Sequence, residues 1–93
     1  MAVMMTRIRV EDYDNWKSIF DGDPPGARRA AAGHRLYRAV EDPNQVFIAV
    51  DFPTTEEAEA ARERLLASGV LDRVEVKSEP TIVEQVEAIS YEA

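Results

Sequence analysis

The side chains best suited to chemistry are few. His34 is the only histidine, and there is no cysteine. An imidazole titrates near neutral pH, so His34 can act as general acid, general base or ligand. No second histidine or thiol completes a metal set, so no metal site is expected. A histidine at the start of a strand is also an ordinary structural residue, and both readings stand. Arg38 follows in the same strand-like run. An arginine buried beneath helices must meet an anion, because an unpaired buried cation is costly. Its partner is either an internal carboxylate, with Asp14 and Asp21 as candidates, or an anionic or phenolate ligand. Trp16 brings a flat aromatic face. Its spacing with Tyr13 and Phe20 fits a helix core, and it also fits the wall of a pocket for an aromatic molecule. Glycine-rich phosphate loops, serine nucleophile motifs and paired-carboxylate motifs are absent.

The stretch that must position these residues runs from Gly33 to Pro53 and reads as a β-hairpin. Val46 to Phe52 is a β-branched and aromatic run. Asp42-Pro43-Asn44 has turn chemistry, since proline fixes φ and asparagine tolerates left-handed φ. With the turn at those three residues, Val40 faces Val46, Arg38 faces Ile48, Leu36 faces Val50 and His34 faces Phe52. The opposite face pairs Ala39 with Phe47, Tyr37 with Ala49 and Arg35 with Asp51. A one-residue slip would set Leu36 against Asp51. The chosen register gathers five aliphatic residues on one face and places Arg35 across from the opposite charge of Asp51. Neither face is simply polar, so both are expected to be covered. Helices cover one, and a partner subunit is the natural cover for the other.

The remaining elements follow from periodicity and punctuation. Val3 to Val10 is a strand whose even positions, Met4, Thr6, Ile8 and Val10, are assigned to the helix side. Glu11 to Asp14 opens a helix, with Asp12 as its cap. Tyr13, Trp16, Ile19 and Phe20 form its apolar face, and Gly22 with Pro24-Pro25 stops it. Pro24-Pro25-Gly26 is a helix break or a mobile rim. A turn or two of helix is expected over Ala27 to Ala32. Thr54 and Glu57 form a capping box for a helix reaching about Ala67, with Ala58, Ala61, Leu65 and Leu66 inward and Gly69 at its end. Arg73 to Lys77 alternates as a strand, and Pro80 interrupts it. Thr81 to Ile89 is an extended C-terminal segment or a helix. The order β-α-β-β-α-β predicts a ferredoxin-like α+β fold with a four-stranded antiparallel sheet and helices on one face.

Bulk properties narrow the function classes. With 93 residues the chain is one domain, residues 1–93. A chain of this size buries only about 60–65% of its unfolded surface, which favours sharing apolar surface with a second copy. The net charge of -7 argues against nucleic acid and against anionic membrane surfaces. No apolar run approaches membrane-spanning length. Met1 to Arg9 lacks the basic start and long apolar stretch of a signal peptide, so a cytoplasmic protein is expected.

The runs VEDYDNWKSIFD, RLYRAVEDPNQVFIAVDFPTTEEA and EPTIVEQVE resemble small dimeric α+β barrel proteins. That superfamily includes antibiotic-biosynthesis monooxygenases, some aromatic polyketide cyclases and haem-degrading monooxygenases. The resemblance implies two four-stranded sheets packed face to face into a barrel, with residues 80–93 reaching toward the partner. It also implies a ligand pocket between sheet and helices. His34 and Arg38 would then be catalytic, moving a proton and stabilising an enolate or phenolate. Trp16 and Thr6 would bind substrate. Arg35, Tyr37, Phe47 and Asp51 would lie in the dimer interface or line the barrel interior. The implied function is a small cofactor-independent monooxygenase or cyclase acting on an aromatic or polyketide-like molecule. The alternative is a non-catalytic homodimeric small-molecule-binding or stress-response protein. A haem-binding reading would need His34 as axial ligand.

Overall fold

The computed structural model describes residues 1–23 and 26–92. The Pro24-Pro25 pair, expected to break the first helix or form a rim, lies outside them. The chain runs β1 (Ala2–Arg9), α1 (Tyr13–Asp21), β2 (Gly33–Arg38), β3 (Gln45–Phe52), α2 (Thr55–Ser68), a 3-10 turn (Val70–Arg73) and β4 (Glu75–Glu84). The four strands form one antiparallel sheet in the order β2-β3-β1-β4. This is the expected ferredoxin-like α+β arrangement. No described helix is long and apolar enough to cross a membrane.

Strand alternation sorts the core. Met4, Ile8, Val46, Val50 and Phe52 point toward the helices and are buried. Phe52, Ile8 and Val46 are the largest fully enclosed side chains. Helix α2 packs over β1, β3 and β4 through Ala58 and Ala61, whose small size lets the backbone come close. Its start is held by Thr54, whose hydroxyl accepts from the Glu57 N–H at 3.1 Å. The reciprocal half of the expected capping box is not made, and Glu57 Oε2 is buried without a partner. Gly69 ends the helix at φ 72°, a left-handed conformation that suits glycine. Leu66, expected inward, is half exposed, because the inward stripe turns through Ala58, Ala61 and Leu65.

Helix α1 is built differently. The Asp12 carboxylate accepts from the Asp14 and Asn15 N–H groups at 3.0 and 3.3 Å, as its capping role requires. A Lys17–Asp21 ion pair at 2.6 Å braces the exposed side. Yet α1 has no buried residue, and its backbone makes no close approach to a strand or to α2.

Two expectations need correction. In the hairpin, His34 faces Val50, Leu36 faces Ile48 and Arg38 faces Val46. The register is therefore displaced by two residues, and the loop is Val40 to Asn44. The Asp42 carboxylate accepts from the Asn44 N–H, the Asp42 carbonyl accepts from Gln45, and the Ala39 N–H donates to the Gln45 carbonyl. Val40 is thus a loop residue, 98% exposed, and not a core partner of Val46. A two-residue shift keeps every side chain on its expected face. In β4, Pro80 does not end the strand. It sits where the β1–β4 register slips between Met5 and Arg7, a bulge at which its missing N–H is tolerated.

Replacing Phe52 with Ala should cost about 3–5 kcal/mol of unfolding free energy, while Leu66→Ala should cost under about 1 kcal/mol. Urea denaturation of the two variants checks this difference.

Candidate functional site

Because α1 stands off the sheet, a cavity of about 390 Å³ lies beneath it. The floor is the helix-facing side of the sheet: Met4, Thr6, Ile8 and Val10 from β1 and its end, with Ile48 and Val50 from β3. The roof is the inner face of α1, Trp16, Ile19 and Phe20. Leu65 of α2 and Val70, Leu71 and Val74 around the 3-10 turn close the far wall. Polar groups sit at the ends. Glu11, Asp12 and Asn15 gather at the start of α1, Asp23 and Arg28 beyond its end, and Arg73 at the 3-10 turn. A site with apolar walls and few polar groups suits a small, flat organic molecule.

The aromatic stripe of α1 holds the roof in place. Trp16 stacks on Phe20 with ring centres 4.9 Å apart, and Tyr13 lies 5.8 Å from Trp16. The Arg28 guanidinium lies over the Phe20 ring at 3.7 Å, donates to the Phe20 carbonyl and pairs with Asp23 at 3.6 Å. On the edge strand β2, the Arg38 guanidinium covers Tyr13 at 3.9 Å, and His34 meets Phe20 edge-on at 5.2 Å. The helix is therefore attached through its aromatic tips to β2, to the segment after α1 and, by Tyr13 and Trp16, to Ile8, Val10 and Val46, while its backbone stays clear of the strands.

The structure places Thr6 and Trp16 together in the cavity wall. His34 and Arg38 point to the helix side, as their alternation requires, but both are exposed and neither lines the cavity. The reason is the sheet order: β2 is an edge strand, so its helix-side residues reach the flank of α1 and solvent. Exposure also relieves Arg38 of its need for an anion. Its Nε donates to the Pro43 carbonyl at 2.8 Å. Neither expected carboxylate takes it, Asp21 being engaged by Lys17. With no imidazole in the cavity wall, the site does not fit a haem held by histidine. No described group of three or more His, Cys, Asp or Glu could hold a metal ion.

Arg28 and Asp23 were not legible as site residues. They lie five positions apart in sequence, and Asp23 takes a left-handed φ of 46°, which helical periodicity does not reveal. Glu75, in a separate shallow depression, is held below the usual carboxylate range by the hydrogen bond and charge of Lys77.

On the opposite sheet face, Arg35 and Asp51 form an ion pair at 2.7 Å, diagonally across the ladder. Tyr37 and Phe47 face each other there, 55% and 37% exposed, beside the exposed Met5. Arg7 lies over Phe47 at 5.7 Å, and its Nε is buried with no partner.

The sequence matches no protein-family model and no curated protein. Solved structures share the fold, among them the following two. One is described as a putative antibiotic biosynthesis monooxygenase from Deinococcus radiodurans, 12% identical, with a TM-score of 0.69 and all of both chains covered. The other is described in the same words, from Bordetella bronchiseptica, at 17% identity and a TM-score of 0.66 over 95% of this chain and 97% of that one. At these identities the likeness is one of fold, the ferredoxin-like α+β arrangement.

Removing the Arg38 guanidinium should loosen α1 without unfolding the domain. An exposed cation–π contact is worth about 0.5–1 kcal/mol. In Arg38→Ala, amide exchange in α1 should therefore quicken roughly two- to fivefold, with exchange in α2 unchanged.

Proposed function

We propose that this chain is a homodimer that takes a small, flat, mostly apolar molecule into the cavity beneath α1. We further propose that it acts there as a cofactor-independent enzyme of monooxygenase or cyclase type on an aromatic or polyketide-like substrate. The observation that carries this reading is the cavity itself. A helix with a continuous aromatic face is held away from the sheet, leaving a space floored by aliphatic side chains. The two similar structures and the names they carry favour oxygenation or a related ring chemistry. In this reading Trp16 stacks on the substrate ring and Thr6 supplies a polar contact. His34 moving a proton, or Arg38 stabilising a phenolate, would require α1 to shift, since Phe20 lines the cavity and also meets His34.

That last point favours a second reading, a binding protein without turnover, because the cavity wall offers no imidazole. Trp16 is the only tryptophan, so its fluorescence reports on the cavity directly. Titration with 1-naphthol should quench it saturably. Ile19→Arg places a charge at the partly exposed edge of the roof and should weaken that binding at least tenfold while leaving the circular dichroism unchanged. Dioxygen uptake or a changed product spectrum with bound phenols supports the enzyme. Tight binding with neither supports the binding protein.

The dimer is supported by the apolar side chains left bare. Met5, Tyr37 and Phe47 on the open sheet face, and Val86, Ile89 and Tyr91 in the extended tail, are all exposed in the single chain. A second copy laid on that face would cover them. Light scattering at micromolar concentration should give twice the chain mass. Phe47→Asp, which would bury a charge between the sheets, should give the monomer.

A further inference from the structure

We infer that the cavity selects neutral molecules carrying a ring hydroxyl, and that Thr6 is the residue that reads it. This rests on the cavity being a ligand site, as proposed above.

Thr6 is 8% exposed and stands in the cavity floor between Met4 and Ile8, opposite Ile48. Its hydroxyl has one proton and two lone pairs. The proton is already committed, because Thr6 Oγ1 donates to the Ser78 carbonyl at 2.6 Å, and a carbonyl can only accept. Toward a ligand, Thr6 can therefore act only as an acceptor.

The commitment is built into the fold. The β1–β4 register slips between Met5 and Arg7 and again between Arg7 and Ile8, so Thr6 has no paired residue in β4. Pro80 lies in the first slip and has no N–H to offer. The side chain of Thr6 bonds to β4 at this break in the ladder. The bond joins residues 72 positions apart in sequence, and the two strands hold it fixed.

Charge narrows the class. Around the cavity, the carboxylates of Glu11, Asp12 and Asp23 outnumber the guanidinium groups of Arg28 and Arg73. The whole chain carries a net charge of -7. An anionic ligand is disfavoured by both, and would also meet the lone pairs of Thr6. A neutral hydroxyl on a flat apolar frame suits the acceptor, the aromatic roof and the surrounding charge together. A ligand without a donor would leave the Thr6 acceptor dry and unpaired, a loss worth roughly tenfold in affinity.

The experiment compares 1-naphthol with 1-methoxynaphthalene, in which the hydroxyl proton is replaced by a methyl group. Both are titrated against the intact protein at pH 7 by Trp16 fluorescence. Wild-type protein should bind 1-naphthol about tenfold more tightly. Thr6→Val should erase that preference by weakening 1-naphthol alone, and Thr6→Ser should keep it. Equal affinities in wild type, or a preference that survives in folded Thr6→Val, would overturn the inference and leave the cavity reading standing. Equal wild-type affinities overturn the inference even where the valine variant does not fold. If neither compound binds saturably, the cavity reading itself fails and the inference falls with it.

Discussion

The site depends on where α1 is attached. Its three aromatic residues make contacts to the side as well as to the sheet. Tyr13 lies under Arg38, Phe20 under Arg28 and against His34, and Trp16 on Phe20. Tyr13 and Trp16 also rest on Ile8, Val10 and Val46, yet the backbone of the helix stays clear of β1 and β3. An amphipathic helix normally presses its apolar face into the sheet, as α2 does through Ala58 and Ala61. Alanines permit that approach. A tryptophan and a phenylalanine hold the helix away. The cavity is thus the space that large side chains keep open, and its roof is fastened by interactions that are each weak. A roof of that kind can give way to a ligand at small cost in global stability, since little of the buried core lies in α1.

The floor contrasts with the roof. β1 is paired on both sides, and the cavity floor is drawn mainly from it and from β3. The one polar side chain buried in the core among the described residues, Thr6, is fixed at a break in the ladder that Pro80 accompanies. A rigid polar group facing a loosely held aromatic wall divides the work of recognition. In the proposed binding reading, the floor would set which functional group is accepted, and the roof would adapt to the shape that carries it.

Much of this fold was legible because strand alternation survives error. The hairpin loop spans five residues where the turn chemistry of Asp42-Pro43-Asn44 suggested three. The displacement is even, so Arg35, Tyr37, Phe47 and Asp51 still share the open face, and the Arg35–Asp51 pair forms diagonally. Element order and both helix caps followed from short-range signals of the same strength. Which strand lies at the edge is not a short-range property. It depends on β1 inserting between β3 and β4. That single fact moved His34 and Arg38 from the cavity to its flank. Pro80 misled for a related reason: a proline reads as a stop until the pairing strand is known to slip beside it.

The open sheet face sets the last constraint. A sheet with helices on one side has its other side wet unless something covers it, and a wet face selects polar side chains. Here it carries Tyr37, Phe47 and Met5, with Val3 and Ala49 buried between them. Arg7 adds a guanidinium nitrogen that neither water nor protein reaches in the single chain. An orphaned donor under an aromatic ring is costly in a finished surface and ordinary in half of an interface, where a partner supplies the acceptor. The tail argues in the same direction. Val86, Ile89 and Tyr91 follow β4 with no helix or strand of their own and no apolar neighbour to cover them. In a domain this small, so much bare apolar surface is hard to reconcile with a stable monomer. Pairing through the open face would leave the cavity beneath α1 on the outside of each subunit, one per chain. Each site would then open to solvent independently of the contact that stabilises the pair.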